Sequence, residues 1–188
     1  MPGRPTTPGG PPKPGGQAKP GGQAKPGGQA KPGSQAKPSR PTPRGGRTDG
    51  PAPGSPYPGD YEGVVRATYA PHLDGDPDPG EIVWTWVPYE EDFSQGKDRP
   101  VLLVGSDAPW LLGVMLTSKD HSREAADEAR WGRYWLDIGS GPWDGQGRDS
   151  EVRLDRVVRV DPGAVRREGA VMGRDLFDRV VQGIAKHR

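Results

Sequence analysis

The chain has 188 residues, 30 of them Gly and 24 Pro, and no Cys. Residues 1–60 hold 15 of the Gly, 16 of the Pro and 9 Lys+Arg against 2 Asp+Glu; residues 61–188 hold 17 Lys+Arg against 23 Asp+Glu and all six Trp, so a +7 stretch precedes a −6 body. This excludes disulfides, thiolate chemistry and an all-Cys zinc site, and with neither a run near the roughly 20 apolar residues of a membrane span nor the apolar core of a secretory signal, the expectation is a soluble cytoplasmic protein with no membrane association.

The first 60 residues are predicted to be a disordered, low-complexity Pro/Gly-rich tail. KPGGQA begins at Lys13, Lys19 and Lys25 and recurs as KPGSQA from Lys31. That period is too short for a solenoid unit. Pro fixes one φ per repeat and the Gly pair frees the next two residues, so the segment reads as a partly extended linker with one positive charge per repeat. It is either a polycation arm for an acidic partner or an entropic extension. Residues 61–78 read as a linker or approach segment, and residues 79–188 as one domain with one modest core.

Within that domain, residues 81–87 (EIVWTWV) alternate in apolar character on both parities, predicting a strand covered on both faces and stopped by Pro88. Residues 89–98 are polar and read as a loop. Residues 101–105 form a second strand and 111–117 a third, with Gly113 marking a bulge or a close backbone approach. A short helix follows from Ser122, read as its cap, to about Arg130. Residues 134–138 are a fourth strand. Residues 152–160 form a fifth, with even positions mainly apolar (Arg156 excepted) and odd positions carrying charge at Arg153, Asp155 and Arg159. Residues 175–186 repeat apolar side chains at helical spacing and predict a closing amphipathic helix. The expectation is a mainly β fold with short helices, arranged as a compact barrel.

Few residues are equipped for catalysis. His72, His121 and His187 do not form a metal-ligand pair on any one element, and neither a P-loop nor a dinucleotide fingerprint is present. Asp74, Asp76 and Asp78 begin like a calcium loop, yet Gly falls one place late and Thr85 stands where the closing Glu belongs. No metal and no cofactor are expected. The remaining candidates stand at strand ends: Arg99 at the start of the second strand, Thr117 and Ser118 at the end of the third, and Arg153 and Asp155 on one face of the fifth. A guanidinium beside a hydroxyl, with an Arg/Asp pair, is suited to holding a phosphodiester and stabilising its pentacovalent transition state; the plainer alternative for the Arg/Asp pair is a surface ion pair. Trp110 and Trp143, beside Pro in turns, are candidates for base stacking or partner anchoring.

GEIVW (80–84), RPVLLVG (99–105), LTS (116–118) and VRLDRVVRVD (152–161) occur in an order and spacing that resemble the MazF/PemK toxins of type II toxin-antitoxin systems, over about residues 79–186. The most specific pieces are the Gly-x-x-Arg-Pro-Val entry at Gly96 and the strand-ending Leu-Thr-Ser. The resemblance implies an SH3-like barrel with a C-terminal helix, pairing as a homodimer. It implies a growth-inhibiting endoribonuclease, an mRNA interferase that cuts single-stranded RNA without metal to a cyclic phosphate and a 5′-hydroxyl. It also implies a cognate antitoxin as partner, and operator DNA bound together with that antitoxin. By motif position, Arg99 would stabilise the phosphorane, Thr117 would hold the scissile phosphate, and Arg153 with Asp155 would assist activation of the 2′-hydroxyl; Ser118, Arg156 and Arg159 would contact RNA. Two departures stand out: residues 89–98 contain no His, and Val158 occupies a position where the family commonly has Arg. They motivate a second reading, a noncatalytic barrel of this type acting as a nucleic-acid- or protein-binding regulatory module.

Overall fold

The structure, a computed structural model, describes residues 50, 52 and 55–188; the expected tail lies outside the described residues except for residues 50, 52 and 55–60. Alternation over Glu81–Pro88 builds β1, with Ile82 buried on one side and Val83 and Val87 on the other. β2 (Gly96–Asp107) starts earlier than its apolar run. Its polar entry, Lys97 to Arg99, continues the backbone ladder against Val87 to Thr85, and hydrogen bonding carries a strand through residues whose side chains give no period. Asp92 closes the intervening turn: its Oδ1 accepts from the Ser94 amide at 2.9 Å and its Oδ2 from the Gln95 side-chain amide at 2.6 Å.

β3 (Trp110–Thr117) returns antiparallel to β2. At Gly113 the expected close approach is present: a Cβ there would stand 2.4 Å from a Val101 methyl, and the register shifts between Leu103 and Gly105 across from it. After a 3-10 turn (Ser122–Glu124) comes α1 (Ala125–Arg130). Ser122 is not its cap; its amide and hydroxyl both donate to Asp120 Oδ1. β4 (Trp135–Gly139) follows.

The fifth strand of the sequence reading divides into β5 (Ser150–Arg153) and β6 (Val158–Val160). Both pair with β3, β5 at Leu116–Thr117 and β6 at Leu111–Gly113, and the chain between them bends away from the ladder. Leu154 and Val157 are nevertheless buried in the core, so burial preserves an alternation that hydrogen bonding does not. β7 (Arg167–Val171), which has no apolar alternation, pairs with β1. α2 (Arg174–His187) buries Phe177, Val180 and Ile184 on one stripe, with Asp175 in its first turn and Lys186 in its last, matching the helix dipole at both ends.

All strand pairs are antiparallel, in the order β4-β5-β3-β2-β1-β7 with β6 against β3, forming a half-barrel closed by α2. One core lies under α2 and includes Ile82, Leu102, Val114 and Val152; a second includes Val83, Val101, Leu103, Met115 and Val160. Residues 57–71 run across the barrel as a strap. The Tyr61 amide donates to Val157 O at 2.8 Å and the Thr68 amide to Val104 O at 3.0 Å, while Tyr61, Val65 and Tyr69 pack on the first core. No described helix is long and apolar enough to cross a membrane.

Candidate functional site

β2 and β3 part at one end. Their last pair there is Val101 with Met115, and beyond it Thr117 pairs instead with Glu151 of β5. A cleft of about 170 Å³ opens where the strands separate, and Arg99, Thr117 and Ser118 all line it. These three sequence-predicted residues are therefore brought together by a ladder that ends early.

Arg99 is half-buried, and no described residue gives its guanidinium a hydrogen bond or an acidic partner. Burial lowers its pKa from the ordinary guanidinium value; the Tyr89 phenol acts in the opposite sense, and the positive charges of Arg156 and Arg153 lower it further. An arginine in this state is already desolvated, without a counter-charge, and so suited to an incoming anion. Thr117 Oγ1 accepts from the Lys119 amide at 3.1 Å, which leaves the hydroxyl proton free to donate. The two acids on the cleft are each committed to an arginine, Asp98 to Arg166 at 2.7 Å and Asp144 to Arg148 at 2.7 Å. Lys97 and Arg99 remain as uncompensated positive charge, a local reversal of the body's net −6.

Arg153 and Asp155 meet each other but do not line this cleft. The Arg153 side chain is 6% exposed: its Nη1 donates to Glu90 Oε2 at 2.8 Å and its Nη2 to Asp155 Oδ2 at 2.8 Å. Burial opposes its charge, but the hydrogen bonds to Asp155 and Glu90 outweigh that and raise its pKa. Asp155 Oδ1 also accepts from the Tyr134 amide at 2.8 Å, and Asp155 borders a separate cavity of about 370 Å³ between the strap and α2. Arg156 pairs with Asp60 at 2.6 Å and donates to Pro88 O. Arg159 donates to Gly59 O and Asp60 O and pairs with Asp107. The strap thus engages both arginines expected to meet RNA, and Val158 is buried in the second core.

The two turn tryptophans differ: Trp143 is enclosed and Trp110 is half-buried. Trp143 is 7% exposed and its indole N–H donates to Ser150 Oγ at 3.2 Å, and Trp110 sits edge-on to Tyr57. The sequence reading missed Asp144, Arg148 and Ser150 as cleft residues; the Asp-x-x-x-Arg spacing in a Gly-rich turn was the available signal. His121, weighed in the sequence as a metal ligand, lies off the cleft, with its Nδ1 2.7 Å from Glu151 Oε2 and its ring stacked on Trp135 at 3.9 Å. Among the described residues no cluster of His, Asp and Glu is arranged to hold a metal ion.

A family model described as "PemK-like, MazF-like toxin of type II toxin-antitoxin system" matches residues 78–187. No curated protein matches the chain. Among solved structures, an endoribonuclease in complex with its cognate antitoxin from a mycobacterial species is 12% identical, with a TM-score of 0.43, covering 59% of this chain and 93% of that one. A MazE–MazF complex from Deinococcus radiodurans is 17% identical, with a TM-score of 0.39, covering 58% of this chain and 93% of that one.

Proposed function

Because the chain belongs to the PemK-like, MazF-like toxin family of type II toxin-antitoxin systems, we propose that it is an endoribonuclease toxin that cuts single-stranded RNA in the Arg99/Thr117 cleft. The observation that carries this reading is Arg99 itself, half-buried beside a donor hydroxyl with no acid among the described residues to neutralise it. In the reaction, the ribose 2′-oxygen attacks phosphorus as its proton passes to solvent water, the bond from phosphorus to the 5′-oxygen breaks, and that oxygen takes up a proton from water. The products are a 2′,3′-cyclic phosphate and a 5′-hydroxyl. Arg99 stabilises the charge gathering on the phosphorane oxygens and Thr117 orients the phosphate, a division of labour that needs no metal. Ser118 adds a further hydroxyl at the cleft. Arg153 and Asp155 pair with each other off the cleft, and Asp155 orients Arg153. The partners that go with this reading are a cognate antitoxin, a second copy of the chain, and operator DNA bound together with the antitoxin.

One observation favours a second reading: Arg156 and Arg159 are engaged by the strap, as suits a noncatalytic regulatory module. Induced expression separates the two. The toxin reading predicts growth arrest with RNA fragmentation by the wild type and neither with Arg99→Ala. Growth without fragments in both strains would support the module.

A further inference from the structure

The cleft has a second guanidinium at its edge, held in an ion pair, that Arg99 does not explain. Residues 141–150 form a tight arm with Asp144 at its centre. Asp144 Oδ1 accepts from the Gln146 amide at 2.9 Å, its Oδ2 accepts from Arg148 Nε at 2.7 Å, and the Gly147 amide donates to Asp144 O at 2.9 Å. The arm is anchored on the barrel: Trp143 is buried against the first core and donates to Ser150 Oγ. A Cβ at Gly141 would stand 2.3 Å from the Trp143 ring, so the ring lies directly on that glycine.

Arg148 is therefore not a loose surface side chain. Asp144 takes its Nε at 2.7 Å and, more weakly, its Nη2 at 3.4 Å, while its Nη1 has no partner among the described residues, and the side chain is 55% exposed and lines the cleft. A guanidinium held by a carboxylate on one edge is pre-oriented to present the other to an anion, at less entropic cost than a free side chain. The Asp144 carboxylate does not oppose such a ligand strongly, because its oxygens already accept from Gln146 and Arg148 and its side chain is only 11% exposed.

We propose that Arg148 forms a second phosphate subsite, which binds the phosphodiester next to the scissile one and so sets the path of the RNA through the cleft. The proposal rests on the reading of the Arg99/Thr117 cleft as the cleavage site. In that arrangement Arg99 and Thr117 act on the reacting phosphate while Arg148 holds its neighbour, a contact made equally in ground state and transition state; its loss falls on KM.

The test uses the full chain and short single-stranded RNA oligonucleotides that the wild type cuts. Arg148→Ala is expected to raise KM about tenfold, and to reduce the slope of log kcat/KM against log salt by about 0.7, the share of one phosphate on a single strand; Arg148→Lys is expected to recover part of both. A methylphosphonate placed in turn at each phosphate beside the cleavage point should reproduce the KM defect at one position in the wild type and add nothing there in Arg148→Ala. A merely structural role for Arg148 does not reproduce that non-additivity. If Arg148→Ala has the wild-type KM and salt slope, or if no neutralised phosphate mimics it, the subsite is overturned while the Arg99 reading stands. If the wild type cuts no RNA, the cleavage reading falls and the subsite with it.

Discussion

Arg99 and Arg153 are the same side chain in opposite electrostatic states. Arg153 is enclosed by Glu90 and Asp155, whereas Arg99 is half-buried and has no acidic partner among the described residues. Removing one member of a buried, hydrogen-bonded ion pair leaves the others desolvated without compensation and costs about 3–5 kcal/mol. Arg153→Ala is thus expected to lower the thermal midpoint sharply, whereas Arg99→Ala should leave it level or raise it while removing activity. Paired thermal melts and cleavage assays check this; a destabilised Arg99→Ala would mean that the guanidinium holds the fold together. Arg99 and Thr117 were legible in sequence because each stands at a strand end next to a recognisable apolar run. The engagement of Arg153 was not, because its partner Glu90 lies 63 residues away and no local pattern announces the contact.

At the scale of elements, the strands that sequence foresaw are those whose ladders and side-chain burial coincide. β1 and β3 meet that condition. β7 does not, because its sequence REGAV carries no apolar period although it pairs with β1, and the bend between β5 and β6 was hidden by the burial of Leu154 and Val157. Gly113 was legible for a steric reason, since β2 and β3 leave no room for a side chain there. Gly113→Ala is expected to cost about 1–3 kcal/mol, the usual penalty of overpacking, read as a lower midpoint in urea. Turns carry a second expectation. Asp92, Asp120 and Asp144 are each held below the usual carboxylate range, first of all by side-chain hydrogen bonds from Ser94, Ser122 and Arg148 respectively. A carboxyl whose folded pKa is depressed contributes stability that is present above its unfolded pKa of about 4 and lost as pH falls through the folded value. Protection factors of the amides in these turns, which remove the intrinsic pH dependence of exchange, should therefore hold steady from pH 7 to about 5 and fall below about 4; a fall already between pH 7 and 5 would contradict the assignment.

Across the whole molecule, charge is partitioned, a +7 stretch over residues 1–60 and a −6 body. The boundary read from composition divides the strap, because Tyr57 and Asp60 fall on the low-complexity side yet bind the barrel: Asp60 pairs with Arg156, which is buried. Composition could not reveal this, since one Asp and one Tyr do not change the character of a Pro/Gly-rich stretch. Asp60→Ala is expected to destabilise the chain by about 3 kcal/mol through the stranded Arg156 charge. Removing residues 1–49, which leaves the strap whole, should instead act on RNA association: the salt dependence of binding should flatten if the basic repeat supplies long-range attraction, and an unchanged slope would make the repeat an inert extension.

Arg99 and Thr117, on the proposed mechanism, promote attack by the RNA's own 2′-oxygen. The most direct test is to map the product ends from an oligonucleotide cut in EDTA, alongside the same oligonucleotide with a single 2′-deoxy substitution at the cleaved nucleotide. The expected outcome is a 2′,3′-cyclic phosphate and a 5′-hydroxyl from the first, no cutting at that position in the second, and no cutting of either by Arg99→Ala. Cleavage of the 2′-deoxy substrate at the same bond, or wild-type cutting by Arg99→Ala, would contradict it.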